Sequence, residues 1–581
     1  MAFELTGELH LETLQRACNE IVRRHEVLRS TFATQNDQPV QKVSERCEMP
    51  LRLGDLRNIE KAEREQSLQK RITAESLQPF DLLTGPLIRT TIFQLEAQKW
   101  VVLTTMHHIV SDGWTLGLFV KELAALYHAF RHGKPSPLPE LPIQYGDFAK
   151  WQRPWLQGPQ AASQLDYWKK QLAGAPPVLE LPTDHPRPAT QTFNGALHYF
   201  SLPAELSQKL VALSKQERAT LFMVLLAAFK IMLSRYTGQR DVVVGTPVAT
   251  RNMTEVESLI GLFLNNLILR TSLDDNPTFR HYLQRVKEAT LSAFSHQDLP
   301  FEKLVQELQV ERNLSYSPLF QVLFILMPEI KPLALEGFTI LPFKVEGGVS
   351  RFDLSLYLED KKDGINGGIE YNTDLFDAAT IARMAQRFAT LLESIVASPD
   401  ARVSELRLLP ESERQQMLVE WNATEMDYPH EQCFHRLFEQ QAAATPDAVA
   451  LSFCHSYGFA STSLAQRTIS PFEGGQGDVH DDASKTGPAS DIPPILPSKA
   501  GSHNLTFREL NARANQLAHF LKKKGVGPET LVGLCLERSA EMVVGLLGIL
   551  KAGAAYVPLD PAYPAERIRY VLEDANAPVL V

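Results

Sequence analysis

The chain has 581 residues, 44% of them apolar and 22% charged, with a formal net charge of −10. That length exceeds one ordinary core and implies two or three domains, while the acidic balance, with no basic patch interleaved with aromatics, excludes a nucleic-acid-binding surface. The five cysteines, Cys18, Cys47, Cys433, Cys454 and Cys535, form no CxxC pair, so neither a zinc site nor a disulfide framework is indicated.

In chain order, the N-terminus MAFELTGELHLETL lacks the basic region and apolar core of a secretion signal, and a reducing cytoplasm is expected. Residues 11–29 read as a helix, with Leu11, Leu14, Cys18, Ile21, Val22 and Leu28 on one stripe. Residues 85–106 read as two strands. The proline-rich, aromatic stretch 133–160 reads as a connector followed by a short helix. A second unit is expected from about residue 176, with a helix over 218–236 closed by Thr237 and Gly238, a buried strand over 241–249, another over 262–270 and more to about 372. The pattern is mixed α and β in two similar halves. Residues 455–503 are rich in Ser, Gly, Pro and Asp and are expected to be a disordered insertion. From Leu505 an amphipathic helix, a strand over ETLVGLCLE and a helix over SAEMVVGLLGILKAG begin an α/β alternation that stops part-way. No apolar run is long enough to span a bilayer, since MVVGLLGILKAGAAYV is broken by Lys551 and by glycines.

The chemistry concentrates at MHHIVSDGW, residues 106–114. The apolar, β-branched KWVVLTT before it reads as a strand, and Leu116, Phe119, Val120, Leu123 and Tyr127 after it lie at helical spacing. Adjacent histidines on an extended segment face opposite ways, so one imidazole is free to face a cleft while the other is structural. An imidazole is a neutral base near pH 7 without much tuning. Asp112 either caps the helix or pairs with an arginine. A metal would need a third ligand, and none is offered nearby except Asp112. The residues alone define an acid/base corner with no substrate attached.

HHIVSDG resembles the HHxxxDG motif of the condensation domains of nonribosomal peptide synthetases. RRHEVLRSTF at 23–32, YGDFAKWQ at 145–152, IGLFLNNLILR at 260–270, HQDLPFEKLV at 296–305, RNLSYSPLFQVLF at 312–324 and RFDLSLYL at 351–358 resemble further blocks of that family, in its order. LPESERQQMLVEWNAT resembles the linker that follows such domains. LTFRELNARANQLA and LKAGAAYVPLDPAYP resemble the first two motifs of an adenylation domain. The resemblance implies a V-shaped, two-lobed α/β fold like chloramphenicol acetyltransferase, plus an α/β adenylation fragment. Its domains are a first lobe over 1–165, lacking the family's first block, a second lobe over 176–408, a linker over 409–435 and a partial adenylation domain over 436–581.

The resemblance also implies roles. His108 stands at the reaction centre, His107 is structural, Asp112 supports the loop and Gly113 lines the approach of the acceptor arm. Arg24 and Arg29 correspond to the family's arginines, one of them pairing with Asp112, and Asn265 lines the tunnel. The reaction is attack by the amine of an acceptor aminoacyl thioester on a donor acyl thioester. Both are carried on the phosphopantetheine of partner carrier proteins, upstream donor and downstream acceptor, within a multidomain synthetase. The chain itself holds no cofactor or metal. No GxSxG elbow is present, so no acyl-enzyme is implied. An epimerisation domain of the same fold and a non-catalytic carrier-docking scaffold are the alternatives. The histidine pair excludes a heterocyclisation domain, which carries aspartates there. Residues 436–581 contain no glycine-rich triphosphate loop, so adenylation activity is not expected.

Overall fold

A computed structural model describes residues 1–310, 313–328, 335, 337–343, 345, 348–454 and 502–581. They divide into two compact units, Met1–Ala423 and Thr424–Val581. The division falls inside the stretch 409–435.

The first unit opens with β1 (Ala2–Thr6), α1 (Leu11–Arg24), the hairpin β2 (Ser30–Gln35) and β3 (Gln38–Val43), β4 (Leu51–Asp55), α2 (Lys61–Leu77), β5 (Ile88–Glu96), β6 (Lys99–Met106) and α3 (Gly113–Arg131). It continues with α4 (Tyr145–Trp155), α5 (Pro159–Leu172), β7 (Gly195–Ser201), α6 (Ala204–Gln216), α7 (Leu221–Thr237), β8 (Asp241–Ala249), α8 (Thr254–Glu257) and β9 (Leu264–Ser272). Then follow α9 (Phe279–Phe294), α10 (Phe301–Glu307), β10 (Val322–Pro328), β11 (Thr339–Pro342), β12 (Leu354–Lys361), β13 (Gly364–Asn372), α11 (Ala378–Ala397) and α12 (Glu411–Gln415).

Two sheets give this unit two lobes. The first has strand order β11-β1-β6-β5-β4, the second β7-β13-β12-β10-β8-β9. In the first lobe, α1 buries Leu14, Ala17, Cys18, Ile21 and Val22 on one stripe. The helix expected over 11–29 stops at Arg24, because His25 turns extended (φ −108°, ψ 101°) and Glu26–Arg29 form a 3₁₀ turn. In the second lobe, α7 is buried all round from Met223 to Leu233 and ends on Gly238 in the left-handed region (φ 72°), where a side chain would be strained.

Two segments cross the boundary expected between the lobes. Helix α5 spans residue 165 and buries Ala161, Trp168 and Leu172 in the core of the second lobe. Strand β11, from deep in the second half of the sequence, pairs antiparallel with β1 and completes the first sheet.

The second unit contains α13 (Phe434–Ala444), β14 (Val449–Cys454), β15 (Ser502–Thr506), α14 (Phe507–Lys523), β16 (Leu531–Leu534), α15 (Ala540–Ala552), β17 (Ala555–Pro558), α16 (Ala565–Asp574) and β18 (Val579–Leu580). Strands β17 and β18 both run parallel to the central β16. A capping box between Thr506 and Glu509 starts α14. Lys551 fixes three helices together, donating to Glu439 (2.5 Å), Asn511 (2.7 Å) and Asn515 (2.9 Å). Most of the insertion expected over 455–503 lies outside the described residues. Its last two, Ser502 and His503, belong to β15, which pairs with β14. Among the described residues no single helix is long and apolar enough to cross a membrane.

Candidate active site

The β5–β6 hairpin delivers the histidine corner, and its ladder closes where the His107 amide donates to Leu87 O (2.9 Å). The strand ends at Met106, and His108–Val110 form a 3₁₀ turn. The two histidines therefore do not share an extended segment, and a turn rather than the strand pleat sets their directions. His107 Nδ1 accepts from the Ile109 amide (3.0 Å), and His108 Nδ1 lies 2.7 Å from Ser111 O. Ser111 Oγ closes the turn by donating to His107 O (3.2 Å).

Asp112 is the N-cap of α3, its Oδ1 accepting from the Thr115 amide (2.7 Å). Its arginine partner is neither Arg24 nor Arg29 but Arg251, just past β8, whose Nη2 lies 3.3 Å from Asp112 Oδ2. Both side chains are 2% exposed, so the pair is shielded from water and salt. Burial pushes the Arg251 pKa down, against the pull of Asp112. Arg251 also donates to Val256 O and Leu259 O (both 2.7 Å) and lies 4.1 Å over the Phe263 ring.

These contacts fasten the first lobe to residues 256–263 of the second. Asp112 Oδ2 accepts from the Phe263 amide (2.9 Å). Thr115 Oγ1 donates to Gly261 O (2.9 Å) and accepts from Gly261 N (3.2 Å). Tyr145 donates to Leu262 O (2.9 Å), and Trp114 Nε1 to Glu257 O (3.1 Å). Burial, then the Asp112 charge, pushes the Tyr145 phenol up to about 12.

The remaining expected residues lie apart from Asp112. Arg24 is paired with Glu122 of α3 (3.1 Å), which also takes His25 Nε2 (2.9 Å). His25 Nδ1 accepts from the Ile260 amide (3.3 Å), tying this second buried cluster to the same segment. Arg29 reaches Glu26 (3.3 Å) and Ser44 O. The Asn265 amide is bonded within the protein. It donates to Gln297 O and Leu299 O (2.8 Å each) and accepts from the Phe301 amide (2.9 Å), pinning the loop before α10. At Gly113 an added Cβ would meet no atom within 4 Å, so neither packing nor backbone conformation demands glycine there.

Arg251, Glu122 and His25 escaped sequence reasoning. The only signal was indirect: a buried cap aspartate has two oxygens, and one cap bond satisfies only one of them. His107 is held below the usual histidine pKa by burial first, then by the charges of His108 and Arg351, the residue that opens RFDLSLYL. Among the described residues no group of three or more His, Cys, Asp or Glu side chains is arranged to hold a metal ion. The corner can supply one ring nitrogen as a proton acceptor beside a rigid loop.

The family model of the condensation domain matches residues 1–418, more than half of the chain. The chain belongs to the condensation domain family. Residues 492–581 match the model of AMP-binding enzymes, so the condensation domain is followed by an adenylation-type segment. The chain is 44% identical, over 99% of its length, to a linear gramicidin synthase of Brevibacillus parabrevis. It is 40% identical, over its full length, to malpinin synthetase of Mortierella alpina. It spans only 10% and 7% of those relatives. Among solved structures, a four-domain nonribosomal peptide synthetase bound to AMP and glycine matches the whole chain at a TM-score of 0.80, with 24% identity and 41% of that chain covered. The X-domain from teicoplanin biosynthesis matches 70% of this chain and 92% of its own at 0.65, with 29% identity. These matches bear out the two-lobed condensation fold. Condensation domains of nonribosomal peptide synthetases are acyltransferases that form peptide bonds.

Proposed function

We propose that the first unit joins a donor acyl or peptidyl thioester to the amine of an acceptor aminoacyl thioester, each delivered on the phosphopantetheine arm of a neighbouring carrier protein. The acceptor nitrogen attacks the donor carbonyl carbon, the C–N bond forms and the C–S bond breaks. The proton lost by the nitrogen passes through His108 to the departing thiolate. The products are an amide on the acceptor carrier and a free thiol on the donor carrier.

One observation carries this reading. Ser111 O faces His108 Nδ1 at 2.7 Å, so Nδ1 carries a proton and Nε2 is the ring nitrogen left to accept one. A neutral imidazole with a fixed acceptor nitrogen is what a nitrogen nucleophile losing a proton requires. A thioester is already activated, and tethering both partners makes the encounter nearly intramolecular, so positioning supplies most of the remaining barrier reduction. Gly113, beside open space at the start of α3, leaves room for an arm to approach. The chain acts in the cytoplasm among carriers of a larger synthetase, and it binds no cofactor of its own.

The test is dipeptide formation by the full chain from a donor-loaded and an acceptor-loaded carrier, screened across proteinogenic amino acids. We expect His108→Ala to keep the parent melting temperature and lose on the order of 10²–10⁴ in rate. A parent that racemises the donor and forms no amide overturns the reading in favour of epimerisation. A parent that binds carriers without turnover makes the unit a scaffold. No amino-acid-dependent pyrophosphate exchange with ATP is expected from residues 436–581, and exchange above a blank would contradict that.

A further inference from the structure

One backbone carbonyl decides which nitrogen of His108 is left to accept a proton. Ser111 O meets Nδ1 at 2.7 Å, so the direction of that carbonyl sets the tautomer of the ring. The carbonyl belongs to the Ser111–Asp112 peptide, which is strung between two anchors. On the Asp112 side, the carboxylate caps α3 through the Thr115 amide (2.7 Å) and accepts from the Phe263 amide (2.9 Å). On the Ser111 side the chain is a three-residue 3₁₀ turn, a form with poor hydrogen-bond geometry. Its amide bonds are Val110 N to His107 O (3.1 Å) and Ser111 N to His108 O (3.3 Å). The Ser111 hydroxyl adds a further bond there, donating to His107 O (3.2 Å). His107 is itself tied into the strand ladder, its amide donating to Leu87 O (2.9 Å). The hydroxyl therefore links the peptide to the end of β6. Ser111 is buried, so water competes little for that bond.

We propose that Ser111 is a positioning residue for amide formation, its hydroxyl holding its own carbonyl on His108 Nδ1. This rests on the amide-forming reading above. In that reading the proton leaves the attacking nitrogen for His108 Nε2, which must hold a lone pair at that moment. If the Ser111–Asp112 peptide turns away, Nδ1 loses its acceptor, and the neutral ring is free to carry its proton on Nε2 instead. A ring in that form cannot take the proton until the tautomer reverts. The hydroxyl is bonded to backbone and acts on the base only through the carbonyl. A serine that merely satisfied a buried turn would make the same bond to the carbonyl four residues back. The two roles therefore differ in what the ring does when the hydroxyl is gone.

Two substitutions separate them. Ser111→Ala removes the hydroxyl. Ser111→Thr keeps it, on a β-branched residue suited to the extended backbone at this position (φ −152°, ψ 155°). In the carrier assay with the full chain, Ser111→Ala is expected to keep KM within about twofold and the melting temperature within about 2 °C of the parent. Its kcat should fall about three- to tenfold, as the loss of one neutral hydrogen bond allows. Ser111→Thr should recover kcat to within about twofold of the parent. ¹⁵N NMR of histidine-labelled protein, with His108 assigned by its absence in His108→Ala, reads the tautomer directly. The parent should show Nδ1–H, Ser111→Ala a mixture with Nε2–H, and Ser111→Thr Nδ1–H again. A Ser111→Ala variant at the parent kcat leaves the hydroxyl as a turn brace and overturns the proposal. So does a slowed variant whose His108 stays in the Nδ1–H form, or a parent already in the Nε2–H form. If the parent forms no amide at all, the proposed function falls. The tautomer needs no turnover, so its shift or constancy in Ser111→Ala still decides whether the hydroxyl sets the ring.

Discussion

Arg251 and Lys230 are both buried in the condensation unit, and their surroundings differ. Arg251 sits at the junction of the lobes against the Asp112 carboxylate, with four further oxygens in reach from Thr115, Val256, Leu259 and Gly261. Lys230 sits fully buried in α7, and among the described residues no carboxylate contacts it. It donates to Val242 O (3.2 Å), Leu269 O (2.7 Å) and Thr271 Oγ1 (2.8 Å), and Thr271 continues to Tyr282. Burial pulls Lys230 down to about 7, with Asp241 only partly opposing it. A guanidinium cannot shed its proton, so it demands a counter-charge, whereas an ammonium can go neutral and needs only acceptors. The junction has therefore fixed its geometry with charge, while the core has tolerated a cation by letting it titrate.

Removing one partner of the junction pair should have the largest effect. Arg251→Met leaves Asp112 buried and unpaired, and a loss of about 3–5 kcal/mol in unfolding free energy is expected. Adding Asp112→Asn should recover part of that loss, as chemical denaturation of the single and double variants will show. Additive losses in that cycle would mean that the pair is not coupled.

The core cation should show itself through pH. Between about 7 and its unfolded value of 10.5, Lys230 binds fewer protons in the folded chain than in the unfolded one, so its contribution to stability rises with pH across that window. The slope approaches about 1.4 kcal/mol per pH unit and vanishes below the window, where both states are protonated. Denaturation midpoints at pH 7 and pH 9, compared between parent and Lys230→Met, isolate it. Parallel profiles would place the lysine charged throughout.

The smallest effect tests how finely the junction is divided. Trp114→Phe deletes one donor to Glu257 O at a half-exposed ring, and about 0.5–1.5 kcal/mol should follow. A loss as large as that of Arg251→Met would mean that Trp114, and not the ion pair, holds segment 256–263.

Local elements were legible because their cause is local. The unbroken apolar run of α7 and the β-branched 241–249 announced a buried helix and strand, and Thr237-Gly238 announced the stop. The corner was legible as strand, cap and helix, but the 3₁₀ turn at His108–Val110 was not, since the histidines read as extended. The partners were not. Asp112 and Arg251 are 139 positions apart, and Glu122 lies 98 from Arg24, so no periodicity connects them. Nor were the partners of Asn265, expected to line the tunnel: its amide makes four bonds inside the protein, to residues up to 36 positions away. Ile260 shows the same limit, since an apolar residue of the second half packs in the core of the first lobe.

Strand β11 carries a consequence for how the chain is made. β1 pairs on one side with β6 and on the other with residues 339–342, more than three hundred positions downstream. On a ribosome the β1–β6 pair can form once residue 106 has emerged. The outer edge of β1 then stays a row of unpaired amides and carbonyls until β11 arrives. The first lobe is thus finished by a late-made strand of the second half, and the two cannot mature one after the other. At a synthesis rate of about 5–20 residues per second, that edge is open for tens of seconds, a window in which it can pair wrongly with another nascent chain. Cutting the protein between its lobes would make that window permanent.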